Sequence, residues 1–539
     1  MADTVWDLLC TGVGGNPALL AEDGSVLSHD DVRATLVRLR DWMRALGVGV
    51  EDRIAIVLPN GPGAAVAFLA AAVTGCAAPL NPRYRSDELR FYLEDLGARV
   101  LITGDSGGEA ARDAAGDEVL RLRMQGSLDA LELLPDDRHS GEERAPDSIR
   151  GRNPVASSSH GAGTSGGIAA PGPDDVALVL HTSGTTSRPK IVPLRQRNLG
   201  CSAAEIAESL HLTAVDRSLN VMPLFHIHGL LAGLLAPLSA GGSVVATEGF
   251  DAFRFFGQLR DLRPTYYTAV PTMHQMVLAR SARYAREARS ARLRFVRSSS
   301  ASLPGPVLEE LRELFGVPVI ESYGMTEATH QMCANPLPPG EAKTRSVGLP
   351  AGIELAILDE ADRTQPPGTR GEVSIKGPTV IDGYENNPTA DEAAFTDGWF
   401  RTGDEGYLDG DGYLFLTGRL KEQINRGGEK VSPLEVDEVL LRHEAVAEAV
   451  TFAMPHDKLG EEVAAAVVLA DAATATETEL RHHVGRSLAA FKVPRRVVFC
   501  DELPKGPTGK LQRIGLAQRL GLAEPTAPRA ESLPGEADG

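Results

Sequence analysis

The sequence lacks the features that mark secreted, zinc-binding or nucleic-acid-binding proteins. Its five cysteines are scattered and include no Cys-x-x-Cys pair, which disfavours a disulfide framework and indicates a reduced, cytoplasmic protein. Acidic residues exceed basic ones, 73 against 54, giving a formal net charge of −19. Nucleic acid and membranes are therefore disfavoured as partners. We expect small-molecule partners and a monomer or homodimer.

Long apolar runs are also lacking. The N-terminal segment MADTVWDLLCTG has no basic region followed by an apolar run, so we expect no signal peptide. The most apolar stretch, AAVAFLAAAVTGCAAPL, is rich in alanine and contains a glycine. This composition predicts a buried helix running into a strand, not a membrane span.

What the sequence does contain is an alternation of helix-like and strand-like segments over about residues 17–105 and 176–350. Such alternation is typical of an α/β fold with a largely parallel sheet. Residues 106–175 interrupt it, and the Ser, Gly, Ala and Pro in NPVASSSHGAGTSGGIAAPGPDD predict a flexible connection there.

The C-terminal third changes character. The segments IELAILDEADRTQPPGTRGEVSIKG and GYLDGDGYLFLTGR combine short strand-like runs with turn signals and predict a small β subdomain of hairpins. A smaller unit with one helix and two strands follows. At 539 residues the chain exceeds one hydrophobic core. We expect an N-terminal domain over residues 1–420, a C-terminal domain over 421–521 and a disordered tail over 522–539.

The segment HTSGTTSRPK, residues 181–190, has the composition of a phosphate-binding loop. Its hydroxyls and unhindered backbone N–H groups are suited to polyphosphate oxygens, and Lys190 adds a cation. It is not a Walker A motif, because GxxxxGK[ST] is absent. Taken alone, the segment is equally compatible with a mobile linker.

Three further segments carry polar groups suited to nucleotide chemistry. Thr326 and Glu327 follow a strand-like run in IESYGMTEATH, and one or two carboxylates commonly suffice for nucleotide-bound Mg²⁺. Asp404 and Arg419 lie in RTGDEGYLDGDGYLFLTGR, and Lys510 follows a Pro- and Gly-rich turn in LPKGPTGK. Each residue alone is also compatible with a solvated surface position.

In this order, the Thr-Ser-Gly-Thr-Thr loop, YGMTE, RTGD, GRLKEQINRGGEKVSP and PTGK resemble the adenylate-forming superfamily of acyl-CoA synthetases, luciferases and peptide-adenylation domains. The resemblance covers about residues 20–515 apart from the connection. It implies a large N-terminal domain of α/β subdomains with a small β subdomain, then a small mobile α+β C-terminal domain. It also implies a reaction in which a carboxylate attacks ATP to form an acyl-adenylate, and CoA then displaces AMP.

The resemblance implies specific roles for residues of this chain. Lys510 would neutralise charge during adenylate formation, with His226 as a gating histidine and Glu327 as the Mg²⁺ ligand. Lys421 would be the hinge, and Gly427 and Gly428 would approach the pantetheine arm of CoA. The implied nucleotide-binding residues are Thr182, Ser183, Gly184, Thr185, Thr186, Lys190, Tyr323, Gly324, Thr326, Asp404 and Arg419.

The expected acid is small and polar. Three histidines in MPLFHIHGLLAGLL and TEATHQM, and a row of serines in FVRSSSASLPG, would be left unsatisfied in a fatty-acid tunnel. Structural histidines are the alternative. The pattern closely resembles the oxalate–CoA ligase branch, which implies that the acid is held by His228, Ser299, Ser300 and His330, with His226 nearby.

Two departures and two alternatives accompany this resemblance. Ile191 stands where relatives usually have glycine, so we expect a regular strand there. The sequence ends in EADG and not in a Ser-Lys-Leu signal, so we expect no peroxisomal targeting by that signal. One alternative is an adenylate-forming ligase with a non-CoA acceptor, such as a diazotase that activates nitrite for an aryl amine. The other is a non-catalytic nucleotide-binding relative.

Overall fold

A computed structural model of the protein describes residues 2–105, 107–136, 170–182, 189–506 and 511–523. Contacts divide these residues into two compact units: 2–402 with 406–416, and 403–405 with 417–506 and 511–523. The predicted domain boundary after residue 420 stays a prediction, and the chain enters the second unit close to it. In the described part of the chain, no helix combines the length and apolar character that crossing a membrane requires.

The helices and strands are numbered in chain order. The helices are α1 Val5–Leu9, α2 His29–Ala45, α3 Pro62–Ala72, α4 Ser86–Leu96, α5 Glu109–Ala114, α6 Gln196–Ser209, α7 Ile227–Leu230, α8 Ala236–Ser239, α9 Phe255–Leu262, α10 Pro271–Leu278, α11 Ala285–Ser290, α12 Gly305–Phe315, α13 Pro388–Ala394, α14 Pro433–Leu440, α15 Glu477–Ser487 and α16 Leu516–Arg519. The first strands are β1 Pro17–Leu20, β2 Val26–Ser28, β3 Arg53–Val57, β4 Cys76–Pro79, β5 Val100–Gly104, β6 Leu120–Gln125, β7 Glu132–Pro135, β8 Val176–Thr182, β9 Lys190–Arg195, β10 Arg217–Asn220, β11 Ser243–Ala246, β12 Tyr266–Ala269 and β13 Phe295–Ser298. The remaining strands are β14 Val319–Met325, β15 His330–Ala334, β16 Leu349–Pro350, β17 Glu354–Leu358, β18 Gly371–Lys376, β19 Phe395–Thr396, β20 Trp399–Leu408, β21 Leu414–Arg419, β22 Ile424–Arg426, β23 Glu429–Val431, β24 Val446–His456, β25 Gly460–Leu469 and β26 Arg496–Phe499.

Two large mixed sheets organise the first unit. One has the order β7-β6-β5-β3-β4-β8-β9 and the other β16-β15-β14-β13-β12-β10-β11-β1-β2. Their central strands are parallel, and antiparallel pairs lie at the edges. The predicted α/β fold is confirmed, as is the helix α3 that runs into β4.

Local sequence explains where these elements begin. Helix α2 starts with a capping box, in which the Ser28 hydroxyl accepts from the Asp31 N–H and the Asp31 carboxylate accepts from the Ser28 N–H. Its buried residues recur at helical spacing, including Val32, Leu36 and Leu39. Helix α3 is buried from Ala64 to Ala72, as expected from its uniformly apolar sequence.

The predicted flexible connection over 106–175 is partly wrong. Residues 107–136 form α5, β6 and β7, and these strands extend the seven-stranded sheet. Polar residues alternate with apolar ones in β6, whose Leu122 and Met124 are buried. The Ser- and Gly-rich segment that suggested a connection begins after this region, and residues 137–169 lie outside the described residues.

The predicted β subdomain corresponds to a five-stranded sheet with the order β17-β18-β20-β19 and with β21 paired to β20. The DGDG sequence forms the turn between β20 and β21, where Gly412 donates its N–H to the carbonyl of Asp409. In the second unit a sheet with the order β23-β22-β25-β24, and β26 on β25, packs its own core around Ile424, Val436 and Val463. Helix α14 contributes Val436 to that core. The tail beyond residue 523 is outside the described residues.

Candidate active site

The residues predicted to hold the acid come from three separate segments that meet beside the nine-stranded sheet. His228 lies in α7, Ser299 and Ser300 follow β13, and His330 begins β15. The His228 Nδ1 atom is 3.0 Å from the Ser300 Oγ atom, and the His228 and His330 rings stack with centroids 4.9 Å apart. Ser299 is fully buried and donates its hydroxyl to the carbonyl of Ser322 at 3.0 Å. Ser300 is therefore the serine whose hydroxyl contacts His228.

Sequence reasoning missed the residue at the centre of this cluster, Arg297. Its side chain is fully buried. One terminal nitrogen, Nη1, donates to the Thr268 Oγ1 atom at 3.1 Å and lies 3.4 Å from the His228 Nε2 atom. The other, Nη2, lies 3.3 Å from the His330 Nε2 atom and donates to the Gln331 Oε1 atom at 3.0 Å. We define Arg297, Thr268, His228, Ser300, His330 and Gln331 as the arginine cluster.

Strand register brings the core of this cluster together. Thr268 on β12 is the direct partner of Arg297 on the parallel neighbour β13, so their side chains project from the same face of the sheet. Asn220 on β10 is in turn the partner of Thr268. The cluster thus begins at the carboxyl ends of adjacent parallel strands, where open α/β sheets place their ligands.

Backbone strain is concentrated at the same place. Ser300, Thr329 and His330 adopt φ values of 73°, 51° and 89°, which non-glycine residues rarely adopt. Each such conformation costs on the order of 1–3 kcal/mol and persists only where surrounding structure fixes it. Buried contacts do so here: Thr329 donates its hydroxyl to the carbonyl of Thr379 at 2.6 Å.

Close helix packing positions the two histidines of MPLFHIHG. His226 caps α7, and its Nδ1 atom accepts from the His228 N–H at 3.4 Å. A Cβ atom on Gly229 would lie 2.3 Å from the carbonyl oxygen of Pro223, so only glycine permits this approach. The next turn, Leu231–Leu235, is a π-helical segment, a feature often found near functional sites.

A second polar group links two predicted nucleotide-site residues through Tyr384, which sequence reasoning also missed. The Lys190 Nζ atom lies 4.2 Å from the centroid of the Tyr384 ring, within range of a cation–π interaction. The Tyr384 hydroxyl donates to the Glu327 Oε1 atom at 2.9 Å. Burial, together with the Glu327 carboxylate, raises the pKa of Tyr384, so the phenol stays protonated and donates.

The described ends of the predicted phosphate loop form a hairpin. Thr182 pairs with Lys190 and His181 pairs with Ile191, which confirms the regular strand expected at Ile191. His181 also contacts the buried carboxylate of Asp95, with 3.0 Å between Nε2 and Oδ2. The other predicted loop residues, Ser183, Gly184, Thr185 and Thr186, lie outside the described residues.

The YGMTE segment places its predicted nucleotide residues in succession. Tyr323 and Gly324 belong to β14, Thr326 and Glu327 form a 3₁₀ turn with Ala328, and Glu327 is buried. The carbonyl of Glu327 accepts from the Ile381 N–H at 2.9 Å, which fixes the turn to the segment that carries Tyr384.

The second unit contains the predicted ribose pair and the hinge. The Arg419 Nε atom donates to the Asp404 Oδ1 atom at 2.9 Å. Lys421 lies exposed in the 3₁₀ turn Leu420–Glu422. Gly427 and Gly428 form the two-residue turn between β22 and β23 with φ values of 60° and 96°. Lys510 lies outside the described residues.

The carboxylate of Glu327 fits a magnesium ion that is bound mainly through nucleotide phosphates. In the described parts of the chain, no group of three or more His, Cys, Asp or Glu side chains is placed to hold a metal by itself. Mg²⁺ in nucleotide sites takes only one or two protein carboxylates. The buried Glu327, oriented by Tyr384, meets that requirement.

Comparison with known protein families identifies the family of the chain. Residues 10–385 match the family described as AMP-binding enzyme, and residues 435–510 match the AMP-binding enzyme C-terminal domain. The chain belongs to the AMP-binding enzyme family. The predicted adenylate-forming fold, with its large N-terminal domain and small C-terminal domain, is thereby confirmed.

Comparison with similar proteins narrows the class of reaction. The chain is 45% identical over 499 residues to an oxalate–CoA ligase of Arabidopsis thaliana, covering 91% of this chain and 92% of the relative. It is 41% identical over 480 residues to an oxalate–CoA ligase of Saccharomyces cerevisiae, covering 87% of each. ATP-bound MatB of Rhodopseudomonas palustris matches with a TM-score of 0.79 and 28% identity, covering 96% of this chain and 99% of that one.

These findings confirm an AMP-forming acid–CoA ligase of the oxalate–CoA ligase branch, which activates an acid with ATP and transfers it to CoA. The non-catalytic alternative is therefore wrong. The alternative with an amine acceptor finds no support in these comparisons. The acid itself and the role of each side chain follow as proposals.

Proposed function

We propose that the acid is oxalate, which the enzyme converts to oxalyl-CoA. The observation that carries this proposal is the fully buried guanidinium of Arg297 behind His228, His330 and Ser300. A cation and three polar side chains would be poor neighbours for an alkyl chain, since each unmatched polar group costs free energy in apolar surroundings. They suit a compact acid whose far end is also a carboxylate.

In the first step, Lys510 neutralises charge as the acid carboxylate meets the α-phosphate of ATP. An anion attacking a polyanion needs cations at the reacting atoms, and one such contact is typically worth about 10²–10³ in rate. We assign the β- and γ-phosphates to Thr182, Ser183, Gly184, Thr185, Thr186 and Lys190, with Thr326 alongside. We assign the adenine to Tyr323 and Gly324, and the ribose to Asp404 and Arg419. His226 would gate the approach to the acid.

Glu327 would hold the magnesium ion, which when bound supplies positive charge to the phosphate oxygens. Tyr384 orients the Glu327 carboxylate toward that task through its hydroxyl. Lys190, held over the Tyr384 ring, adds a cation from the phosphate loop. Lys190, and a magnesium ion held by Glu327, would supply positive charge to the pyrophosphate leaving group.

In the second step, the small domain rotates about Lys421 and brings the Gly427–Gly428 turn to the thiol arm of CoA. The turn is exposed, and among the described residues no atom lies within 4 Å of the position that a Cβ on Gly428 would take. This open space leaves room for a thin substrate chain. The proposed rotation would alternate between the two half-reactions, a gating step of the kind that often limits turnover.

A screen of acids against acceptors tests the proposal. Purified enzyme with ATP and Mg²⁺ is supplied with oxalate, malonate, sulfoacetate, acetate, octanoate or ferulate, with and without CoA. We expect rapid CoA-dependent formation of AMP and oxalyl-CoA with oxalate, and at least about 10²-fold lower kcat/KM with octanoate. Preference for ferulate or octanoate would contradict the oxalate assignment while leaving the family assignment intact.

A further inference from the structure

The guanidinium of Arg297 is a buried cation with no carboxylate partner among the described residues. Its contacts there are the neutral or titratable groups of Thr268, His228, His330 and Gln331. Its Nε atom has no hydrogen-bond partner in that part of the chain. Buried charges are normally paired, because an isolated one is costly. A second negative charge supplied by the substrate would complete this site.

Hydrogen-bond polarity fixes the direction in which the influence of Arg297 reaches the pocket. A guanidinium only donates, so Thr268 Oγ1 accepts from Arg297 Nη1. Arg297 Nη1 can likewise only donate to the His228 Nε2 atom, 3.4 Å away, so Nε2 is unprotonated and the Thr268 hydroxyl donates its own hydrogen to it at 2.6 Å. His228 Nε2 is therefore an acceptor, whichever of Thr268 and Arg297 supplies the hydrogen.

The other ring nitrogen of His228, Nδ1, links the histidine to Ser300. With Nε2 accepting, neutral His228 bears its hydrogen on Nδ1 and donates to the Ser300 Oγ atom at 3.0 Å. Ser300 has then accepted a hydrogen bond, and its own O–H is available to donate. Ser300 is only half-buried, unlike the fully buried members of the chain behind it.

We propose that Arg297 is a positioning and specificity-determining residue, which orients a hydrogen-bond relay through Thr268 and His228 to Ser300 toward the second carboxylate of a dicarboxylic acid. This inference rests on the proposed function and deepens it. The positive charge comes from a group that remains protonated at neutral pH, since burial lowers the pKa of Arg297 only to about 10. Recognition of the dianion thus does not require a protonated histidine.

Several titratable and charged groups surround His228, and each bears on its protonation. Arg297 faces it from β13, His330 stacks on it from β15, and His226 contacts its backbone N–H from the start of α7. Thr268 meets it from β12. The nearby cation and the hydrogen bonds received at Nε2 both favour neutral His228.

The test compares R297M, R297K and T268V with the wild type, using oxalate as substrate and oxamate as a competitive inhibitor. Oxamate has the shape of oxalate but carries a neutral amide in place of the second carboxylate. For R297M we expect the KM for oxalate to rise about 10–100-fold, the loss expected for a hydrogen bond to a charged group. The Ki of oxamate should change less than about 3-fold. T268V should give a smaller shift in the same direction, and R297K should recover part of the loss.

The pH profile provides a readout that a purely structural arginine would not produce. Wild-type KM for oxalate should stay flat between pH 5.5 and 8. In R297M, His228 loses the neighbouring cation that disfavours its protonation. The KM of R297M should therefore improve as the pH falls, and a flat profile in R297M would overturn the relay.

R294M serves as the control for general destabilisation. Arg294 lies three positions before Arg297 but forms a partly exposed ion pair with Asp216, with 2.7 Å between Nε and Oδ1. We expect R294M to lower Tm without changing the ratio of oxalate KM to oxamate Ki. If R297M changed the KM for oxalate and the Ki of oxamate by the same factor, as we expect for R294M, the relay would be refuted. If R297M does not fold, T268V, which keeps the Arg297 cation, tests the relay through the same ratio of oxalate KM to oxamate Ki.

Failure of the relay and failure of the oxalate assignment give different results. Wild-type enzyme that ignores oxalate but uses malonate or sulfoacetate would overturn the oxalate assignment, and the same variants would then be compared on that dianion. Wild-type enzyme that uses oxalate, with no selective loss in R297M or T268V, would overturn the relay alone.

Discussion

The Lys190 ammonium lies over the face of the Tyr384 ring, with 4.2 Å between Nζ and the ring centroid. The same ring carries the hydroxyl that donates to Glu327. One side chain therefore orients both a cation of the phosphate loop and the carboxylate suited to magnesium. The two functions reside in different atoms of Tyr384 and can be separated by substitution.

Y384F should separate the hydroxyl from the ring. Loss of a hydrogen bond to a carboxylate typically costs about 1.5–3 kcal/mol, so we expect the Mg²⁺ concentration for half-maximal adenylation to rise about 10-fold or more. Y384L removes the ring as well and should additionally raise the KM for ATP by about 2–5-fold through loss of the cation–π contact. Steady-state titrations of Mg²⁺ at fixed ATP, and of ATP at saturating Mg²⁺, measure the two effects. Identical profiles for Y384F and the wild type would contradict the assignment of Glu327.

Lys510→Ala should abolish the first half-reaction selectively. We expect exchange between pyrophosphate and ATP to fall about 10²–10³-fold, while thioester formation from a supplied acyl-adenylate changes little. Lys505→Ala is the matched control, because Lys505 lies in the same segment and donates to Glu448 at 2.9 Å. An exchange rate as high in K510A as in K505A would remove Lys510 from the mechanism.

Gly428→Ala should impair the second half-reaction. Gly428 has φ 96°, where an L-residue costs about 1–2 kcal/mol, so the turn would change shape even though space for a Cβ exists. We expect thioester formation to slow about 10-fold and pyrophosphate exchange to change less than about 2-fold. Gly412→Ala imposes similar strain at φ 83° in another turn. The two half-reactions should keep their wild-type ratio in G412A, and the same ratio in G428A would exclude the turn from CoA binding.

Acid should destabilise the first unit through His274. This residue is fully buried, its Nδ1 atom is 3.1 Å from the Tyr267 hydroxyl, and burial lowers the pKa of His274 to about 3. The unfolded chain binds this proton below about pH 6.5, but the folded protein does not until about pH 3. The stabilising contribution is thus complete above pH 6.5 and is lost as the pH falls toward 3.

Urea unfolding of the wild type and H274Q at pH 7, 6 and 5 measures this effect. Between pH 6 and 5 we expect the wild type to lose about 1.4 kcal/mol of unfolding free energy relative to H274Q, the linkage value for one proton. Parallel pH dependence in both proteins would show that His274 protonates as readily in the folded state as in the unfolded chain.

Most elements of the fold followed from the sequence because apolar runs or apolar periodicity coincide with burial in them. The alanine-rich run of α3 and the strand β4 are examples, since both are apolar throughout and each directly follows a glycine. Residues 107–136 were misjudged because β6 alternates arginine with leucine and methionine. That pattern is typical of a strand with one exposed face, such as β6 beside the edge strand β7, but the Ser- and Gly-rich sequence that follows is typical of a connection.

The site was only half predictable. His228, Ser300 and His330 were identified from resemblance, and the structure brings them together. Arg297 resembles a surface arginine in FVRSSSASLPG, although its position inside an apolar strand was a usable signal. Its contact with Thr268 depends on the register of two strands from distant parts of the chain, which no local pattern encodes. Tyr384 was missed because its contacts with Lys190 and Glu327 join segments that are far apart in the chain.

The pairing of Thr268 with Arg297 inside a central parallel ladder also bears on how new substrate preferences arise in this scaffold. Both side chains are fully buried between paired strands, so a substitution of either residue disturbs the neighbouring strands. Ser300 stands just beyond the strand end, so it can vary without that penalty. Laboratory evolution toward bulkier acids should therefore collect its beneficial changes in the loop after β13, and should reach the buried arginine late or not at all.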